Sequence, residues 1–151
     1  MKLDLSLLGD ACTVGEKLAK EEAERALGCL NLEELEEAAL SSLVDDLTKQ
    51  AYNDSKRLGF SDRGKKRLRR PSEPEASDIL WGINSKGLKR SEDFTALKDR
   101  FLEVVRKHAP HPAAIVQREQ VLYDVQAAVL RLIRVVELRA YEEGYASAGI
   151  I

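Results

Sequence analysis

Six positive charges fall within eight residues at Arg63, Lys65, Lys66, Arg67, Arg69 and Arg70, in a chain whose formal charge is −2. Clustered guanidinium and ammonium groups neutralise phosphates and release condensed counterions, an attraction indifferent to base sequence. Lys86, Lys89 and Arg90 follow beyond Trp81, so residues 63–90 hold nine bases against three acids. Trp81 offers a flat face on which an unpaired base would stack. These residue types point to nucleic-acid contact. The same composition also serves a solvated loop, a protein-docking loop or a nuclear-import address.

Arg69-Arg70-Pro71-Ser72 has the form of a basophilic kinase site. A phosphate on Ser72 would add about −1.5 to −2 charge beside the patch and weaken its hold on other phosphates. Four-residue matches of this kind are common by chance.

Other chemistries lack their parts. Glu34 and Glu37, at i and i+3, supply one carboxylate pair of the kind a helical protein uses to hold magnesium at a nucleotide pyrophosphate. The facing pair is missing, because Ser42 and Leu43 stand three residues before Asp45 and Asp46. A carboxylate-bridged di-iron bundle requires Glu-x-x-His, and neither His108 nor His111 has Glu three residues before it. Pro110 between them prevents a regular turn, and no nearby Cys or carboxylate completes a tetrahedral site. His108 is better suited to the end of its helix, where a cation meets the dipole. No Gly-x-Ser-x-Gly elbow or glycine-rich phosphate loop is present; Gly82 and Gly87 stand apart with no preceding strand. No catalytic residue, metal or cofactor is assigned. The expectation is a protein that is not an enzyme.

The elements that must carry the basic run are helical. The chain has 151 residues, 44% of them hydrophobic and 33% charged, with only 5% aromatic. Leu, Ala, Val and Ile mixed with Glu, Lys and Arg favour helices, and this length can bury one core. Residues 1–62 carry fourteen acids against seven bases, so the near-neutral total hides an acidic head ahead of the basic run. Cys12 and Cys29 make no disulfide framework and read as free thiols in a reducing compartment. No apolar run approaches a membrane span, and Asp4 interrupts the only candidate signal core. An intracellular, cytoplasmic protein is expected, with a nuclear location open to a eukaryotic one. Asn53-Asp54-Ser55 matches the glycosylation triplet and means nothing without secretion.

A first helix is expected from Val14 to Leu27, stopped by Gly28 as a left-handed cap. Asn31 and Glu34 suggest a capping-box pair for the second helix. Its stripe is Leu40, Leu43, Val44, Leu47, Ala51 and Leu58, and Gly59 should stop it. From Phe60 to Ser77 the periodicity fails and a loop is expected; Asp78–Ile83 suit a short helix. Ser91, with Glu92 and Asp93 behind it, opens another helix, whose face is Phe94, Leu97, Phe101, Val104, Val105 and His108. Pro110 and Pro112 end it, and a long last helix runs from Pro112 to Tyr145.

The sum is an all-α bundle of four main helices plus one short helix. An acidic N-terminal αα-hairpin (1–60) and a C-terminal αα-hairpin (91–151) are joined by a basic linker (61–90), together forming one domain. A DNA-reading helix-turn-helix in the first hairpin is excluded, since Glu33, Glu34, Glu36 and Glu37 would be repelled by duplex phosphates.

The last helix is apolar on two sides. One broad stripe holds Val121, Leu122, Val125, Ala128, Val129, Leu132, Ile133, Val136 and Ala140. The opposite side holds Tyr123, Leu130, Leu138 and Tyr141, edged by Arg131, Arg134 and Glu137. Such a helix wants two partners: it lies inside the bundle, pairs with a second copy, or meets another protein. The functional expectation is an accessory or regulatory protein that binds DNA or RNA through the basic run and self-associates. The alternative is a protein-binding adaptor or inhibitor acting through its acidic hairpin or this seam.

Overall fold

Thr13 starts the first helix by accepting a hydrogen bond from the Glu16 N–H at 3.2 Å, which satisfies one of the donors a helix start leaves open. The computed structural model describes residues 1–9, 13–66, 68, 91–110 and 115–149. Within them lie four α-helices and no strand: α1 (Val14–Leu27), α2 (Glu34–Gly64), α3 (Glu92–His108) and α4 (Ile115–Ala148). The short helix expected over Asp78–Ile83 lies outside the described residues.

The bounds of α1 are those the sequence implies, but its stop differs. Gly28 stays right-handed, with φ −63° and ψ −15°. Its missing side chain serves a close pass instead, since a Cβ there would sit 3.3 Å from the Met1 nitrogen. The second helix opens at Glu33 rather than Asn31, with Glu36 accepting from the Glu33 N–H at 3.0 Å. The Asn31 N–H instead donates to the His108 carbonyl at 2.9 Å, tying the α1–α2 link to the end of α3. Ser91 caps α3 as expected, accepting from the Phe94 N–H at 3.1 Å.

The largest correction is the end of α2. It passes through Gly59 and continues to Gly64. Gly59 is buried against α4, where a Cβ would stand 3.0 Å from the Tyr141 carbonyl carbon and closer still to its oxygen. Gly144 answers from α4 in the same way against the Lys56 carbonyl. Glycine therefore serves a backbone approach here and not a stop.

Residue pairings give the helix directions. Ser55–Glu137, Gly59–Tyr141 and Arg63–Tyr145 advance together, so α2 and α4 cross in parallel. Glu16–Arg139 and Glu22–Arg131 run oppositely, making α1 antiparallel to α4. Asp54–Ser91 and Glu36–His108 set α3 antiparallel to α2. The extensive packing is α2 on α4, α1 on α4 and α2 on α3. Consecutive helices are thus not the main partners, except where α3 follows α2, and neither expected hairpin is a principal packing pair.

Residues 1–8 lie as a strap that contacts both α1 and α2, burying Leu3, Leu5 and Leu8. The core beneath it comes from Leu40, Val44 and Leu47 of α2, Phe94, Phe101 and Val105 of α3, and Leu132, Ile133 and Val136 of α4.

Candidate functional site

The basic run begins on the last turn of α2. Asp62 there is fully buried and accepts a hydrogen bond from the Tyr141 hydroxyl at 2.8 Å. One residue on, the exposed Arg63 lies over the Tyr145 ring, 5.0 Å from its centroid. Tyr145 in turn stacks on Tyr141 at 6.1 Å. Buried and exposed positions alternate along this turn because the helix carries Asp62 into the α4 contact and Arg63 to its rim.

The helix closes with the Lys65 N–H on the Ser61 carbonyl at 3.1 Å and the Lys66 N–H on the Arg63 carbonyl at 3.2 Å. Lys66 has φ 56° and is the one non-glycine residue with positive φ among the described residues. This is the position after the cap, where glycine is usual; a side chain there costs about 1 kcal/mol. Lys65, Lys66 and Leu68 each stand exposed to solvent. Arg67, Arg69, Arg70, Trp81, Lys86, Lys89 and Arg90 lie outside the described residues.

Three carboxylates of the acidic half pair with cations outside the basic run. Glu16, itself buried, pairs with Arg139 at 3.1 Å. Glu22 pairs with Arg131 at 2.7 Å, and the Glu36 carboxylate lies 2.9 Å from the His108 ring nitrogen. Asp45 pairs with Lys49 at 3.3 Å. Among the described residues neither Lys65 nor Lys66 is in an ion pair. A helix dipole accounts for a cation or two in the last turn; the six in this run exceed that need.

The seam expected on α4 separates into inner and outer parts. Leu130 and Tyr141 are buried within the chain and Leu138 is half-buried. Arg134 is buried 3.5 Å from Glu137, while the Ser55 hydroxyl donates to Glu137 at 3.4 Å. Tyr123, 40% exposed, and Arg131 remain at the surface. The partner for the second face of α4 is largely this chain's own α2 and α1.

Three features lie outside the expectations drawn from the sequence. Arg139 joins the strap, α1 and α4 by donating to the Leu7 carbonyl at 3.1 Å while pairing with Glu16 and Glu143. Its guanidinium also lies 5.9 Å from the Tyr52 ring centroid, and the Tyr52 hydroxyl donates to Glu143. That bond, with burial, raises the Tyr52 pKa. An open groove of about 520 Å³ beside the strap is lined by Lys2, Asp4, Glu34, Glu37 and Asp45, with Ala38, Ser41 and Ser42. The third feature is the strap, whose signal is Leu3, Leu5 and Leu7 alternating with polar residues, a period of two in an otherwise helical chain.

Among the described residues no group of three His, Cys, Asp or Glu side chains is placed to hold a metal ion, and no helix is long and apolar enough to cross a membrane. Comparison with protein-family models, curated proteins and solved structures finds no match to this chain.

Proposed function

We propose that this is a small, non-enzymatic, intracellular accessory protein that binds a nucleic acid through the run Arg63–Arg70. The observation that carries the reading is the state of Lys65 and Lys66. They stand exposed beyond α2 and outside any ion pair among the described residues, while three carboxylates of the acidic half are matched with other cations. Lys66 also occupies a left-handed position that glycine would fill without strain. A solvated linker has no need of a strained cation there.

Phosphate neutralisation supplies the attraction, and counterion release makes it salt-dependent. Labelled single-stranded and duplex DNA and RNA, titrated at two salt concentrations, should bind with an affinity that falls steeply as salt rises. Replacing Lys65, Lys66, Arg67, Arg69 and Arg70 together by Ala should abolish binding without changing helical content. Absence of binding by the unaltered chain at low salt would reject the reading.

A second reading rests on the acidic groove at Asp4, Glu34, Glu37 and Asp45, which suits a lysine- or arginine-rich segment of a partner protein. Calorimetry with a lysine-rich peptide tests it; Glu34→Gln with Glu37→Gln should remove the heat of binding. An unaltered heat would reject this adaptor role.

A further inference from the structure

Because α2 runs on through Gly59, its last turns carry a continuous exposed face. Phe60 stands at the centre of that face and is 48% exposed. Its neighbours on the helix surface lie three and four residues to either side. They are Lys56, Arg57, Arg63 and Gly64, and all four are exposed. Lys49 and Asn53 extend the same face toward the start of the helix. The two acids between Lys49 and Gly64 are turned away from it. Asp62 is buried with the Tyr141 hydroxyl, and Asp54 accepts from Gln50 and Ser91. An aromatic ring in water, set among three cations and a glycine, contributes nothing to the core.

A helical side chain leans toward the N-terminus and covers the turn before its own Cα. A side chain at position 64 would therefore lie over Phe60. Glycine leaves the ring bare, and nothing lies within 4 Å of where a Cβ would stand. Arg63 is drawn aside to Tyr145, whose ring centroid is 5.0 Å from the guanidinium. Lys56 is drawn to Tyr52, with its ammonium 5.6 Å from that centroid. Both cations flank the phenyl ring while each faces another ring. Glu143, the acid that meets this face at Tyr52, is engaged there by the Tyr52 hydroxyl and by Arg139.

We infer that this face of α2 binds a single-stranded nucleic acid, with an unpaired base stacked on Phe60 and the flanking phosphates against Lys56, Arg57 and Arg63. The inference rests on the reading that the basic run holds a nucleic acid, and it names the form of that nucleic acid. Arg63 belongs to both surfaces, so a strand crossing the face passes directly to Lys65 and Lys66. A duplex keeps its base faces inside the stack and offers Phe60 only sugar and phosphate. An unpaired strand offers a π-face at every base, so the ring selects for strandedness and not for sequence.

The test is fluorescence anisotropy of a labelled mixed-sequence strand, alone and annealed to its complement, with the full chain and with Phe60→Ala, Phe60→Tyr and Arg57→Gln. Phe60→Ala should weaken binding of the single strand about fivefold to a hundredfold and leave the duplex unchanged. Phe60→Tyr keeps a ring and should keep the affinity. Arg57→Gln should lower the slope of log affinity against log salt by about one. Both positions are exposed, so helical content should be the same in all three variants. Full affinity in Phe60→Ala, an unchanged slope in Arg57→Gln, or equal affinity of the unaltered chain for strand and duplex would overturn this inference and leave the basic run standing. No binding of either form by the unaltered chain at low salt would remove both.

Discussion

Gly59 of α2 and Tyr141 of α4 meet backbone to backbone, at a crossing so close that no side chain fits at Gly59. Gly144, about one turn beyond Tyr141 on α4, does the same against Lys56, so each helix contributes one glycine and one peptide surface. The two contacts hold the last turns of α2 and α4 in parallel. Through them the start of the basic run is fixed beside Tyr145.

Gly59→Ala and Gly144→Ala should each destabilise the fold. Alanine in a helix interior ordinarily gains about 0.5–1 kcal/mol over glycine. Here the obstacle is peptide backbone, which cannot rotate away, and overpacking costs about 1–3 kcal/mol. At Gly64 a Cβ would meet nothing within 4 Å, which makes it the control. Gly64→Ala should be neutral or stabilising by up to about 1 kcal/mol. Chemical denaturation of the three variants checks the order; equal effects would mean the crossing is loose.

Tyr141→Phe keeps the ring and removes the hydroxyl that donates to Asp62 at 2.8 Å. Both residues are fully buried, so Asp62 loses a donor it cannot replace with bulk water. The expected loss is about 1–3 kcal/mol, read as a lower denaturation midpoint. Asp62→Asn in the Tyr141→Phe background should then cost less than it does alone, because the two changes remove one shared bond.

These residues show where the sequence spoke plainly and where it did not. Ser91 to His108 carries local signals, a cap and an apolar period, and the structure follows both; the first helix keeps its expected bounds, Val14 to Leu27, though Gly28 does not take the left-handed form expected of it. Gly59 carried a false one: a glycine that stops a helix and one that admits a neighbour are alike in one dimension. Asp62 and Tyr141 sit 79 residues apart, and nothing local pairs a carboxylate beside a basic run with a late tyrosine. The N-terminal leucines were legible as an alternating pattern, yet their partners Glu24, Ser41, Asp45 and Arg139 come from three helices. Of the candidate site, composition revealed the charge, whereas the exposure of Lys65 and the strained φ of Lys66 needed coordinates.

Arg139→Met should release the strap as well as weaken the bundle. The substitution leaves Glu16, only 2% exposed, without its cation, and withdraws the donor to the Leu7 carbonyl. Removing one member of a buried pair costs about 3–5 kcal/mol, and the lower end applies because Arg139 keeps 30% exposure. Amide exchange distinguishes this from general destabilisation. The N–H groups of Leu3, Asp4 and Ser6 should lose protection well before those of the α2–α4 crossing, and uniform loss would reject the clamp.

Tyr52 gives the fold a dependence on alkaline pH. Its pKa is raised above the ordinary 10.0, first by the hydrogen bond it donates to Glu143, then by burial and by the charge of Glu143, with Arg139 opposing. The folded chain therefore holds this proton more tightly than the unfolded chain does. By linkage, its stabilising contribution is complete below pH 10.0 and is lost as pH climbs through the raised folded value. Tyr52→Phe removes the titrating group and should flatten this part of the alkaline loss of stability. Glu143→Gln should bring the Tyr52 pKa back toward its ordinary value, seen in the tyrosinate absorbance. The measurement is the denaturation midpoint of each protein against pH on either side of that value. Curves of identical slope for the parent and Tyr52→Phe would mean that the Tyr52–Glu143 bond does not persist in solution.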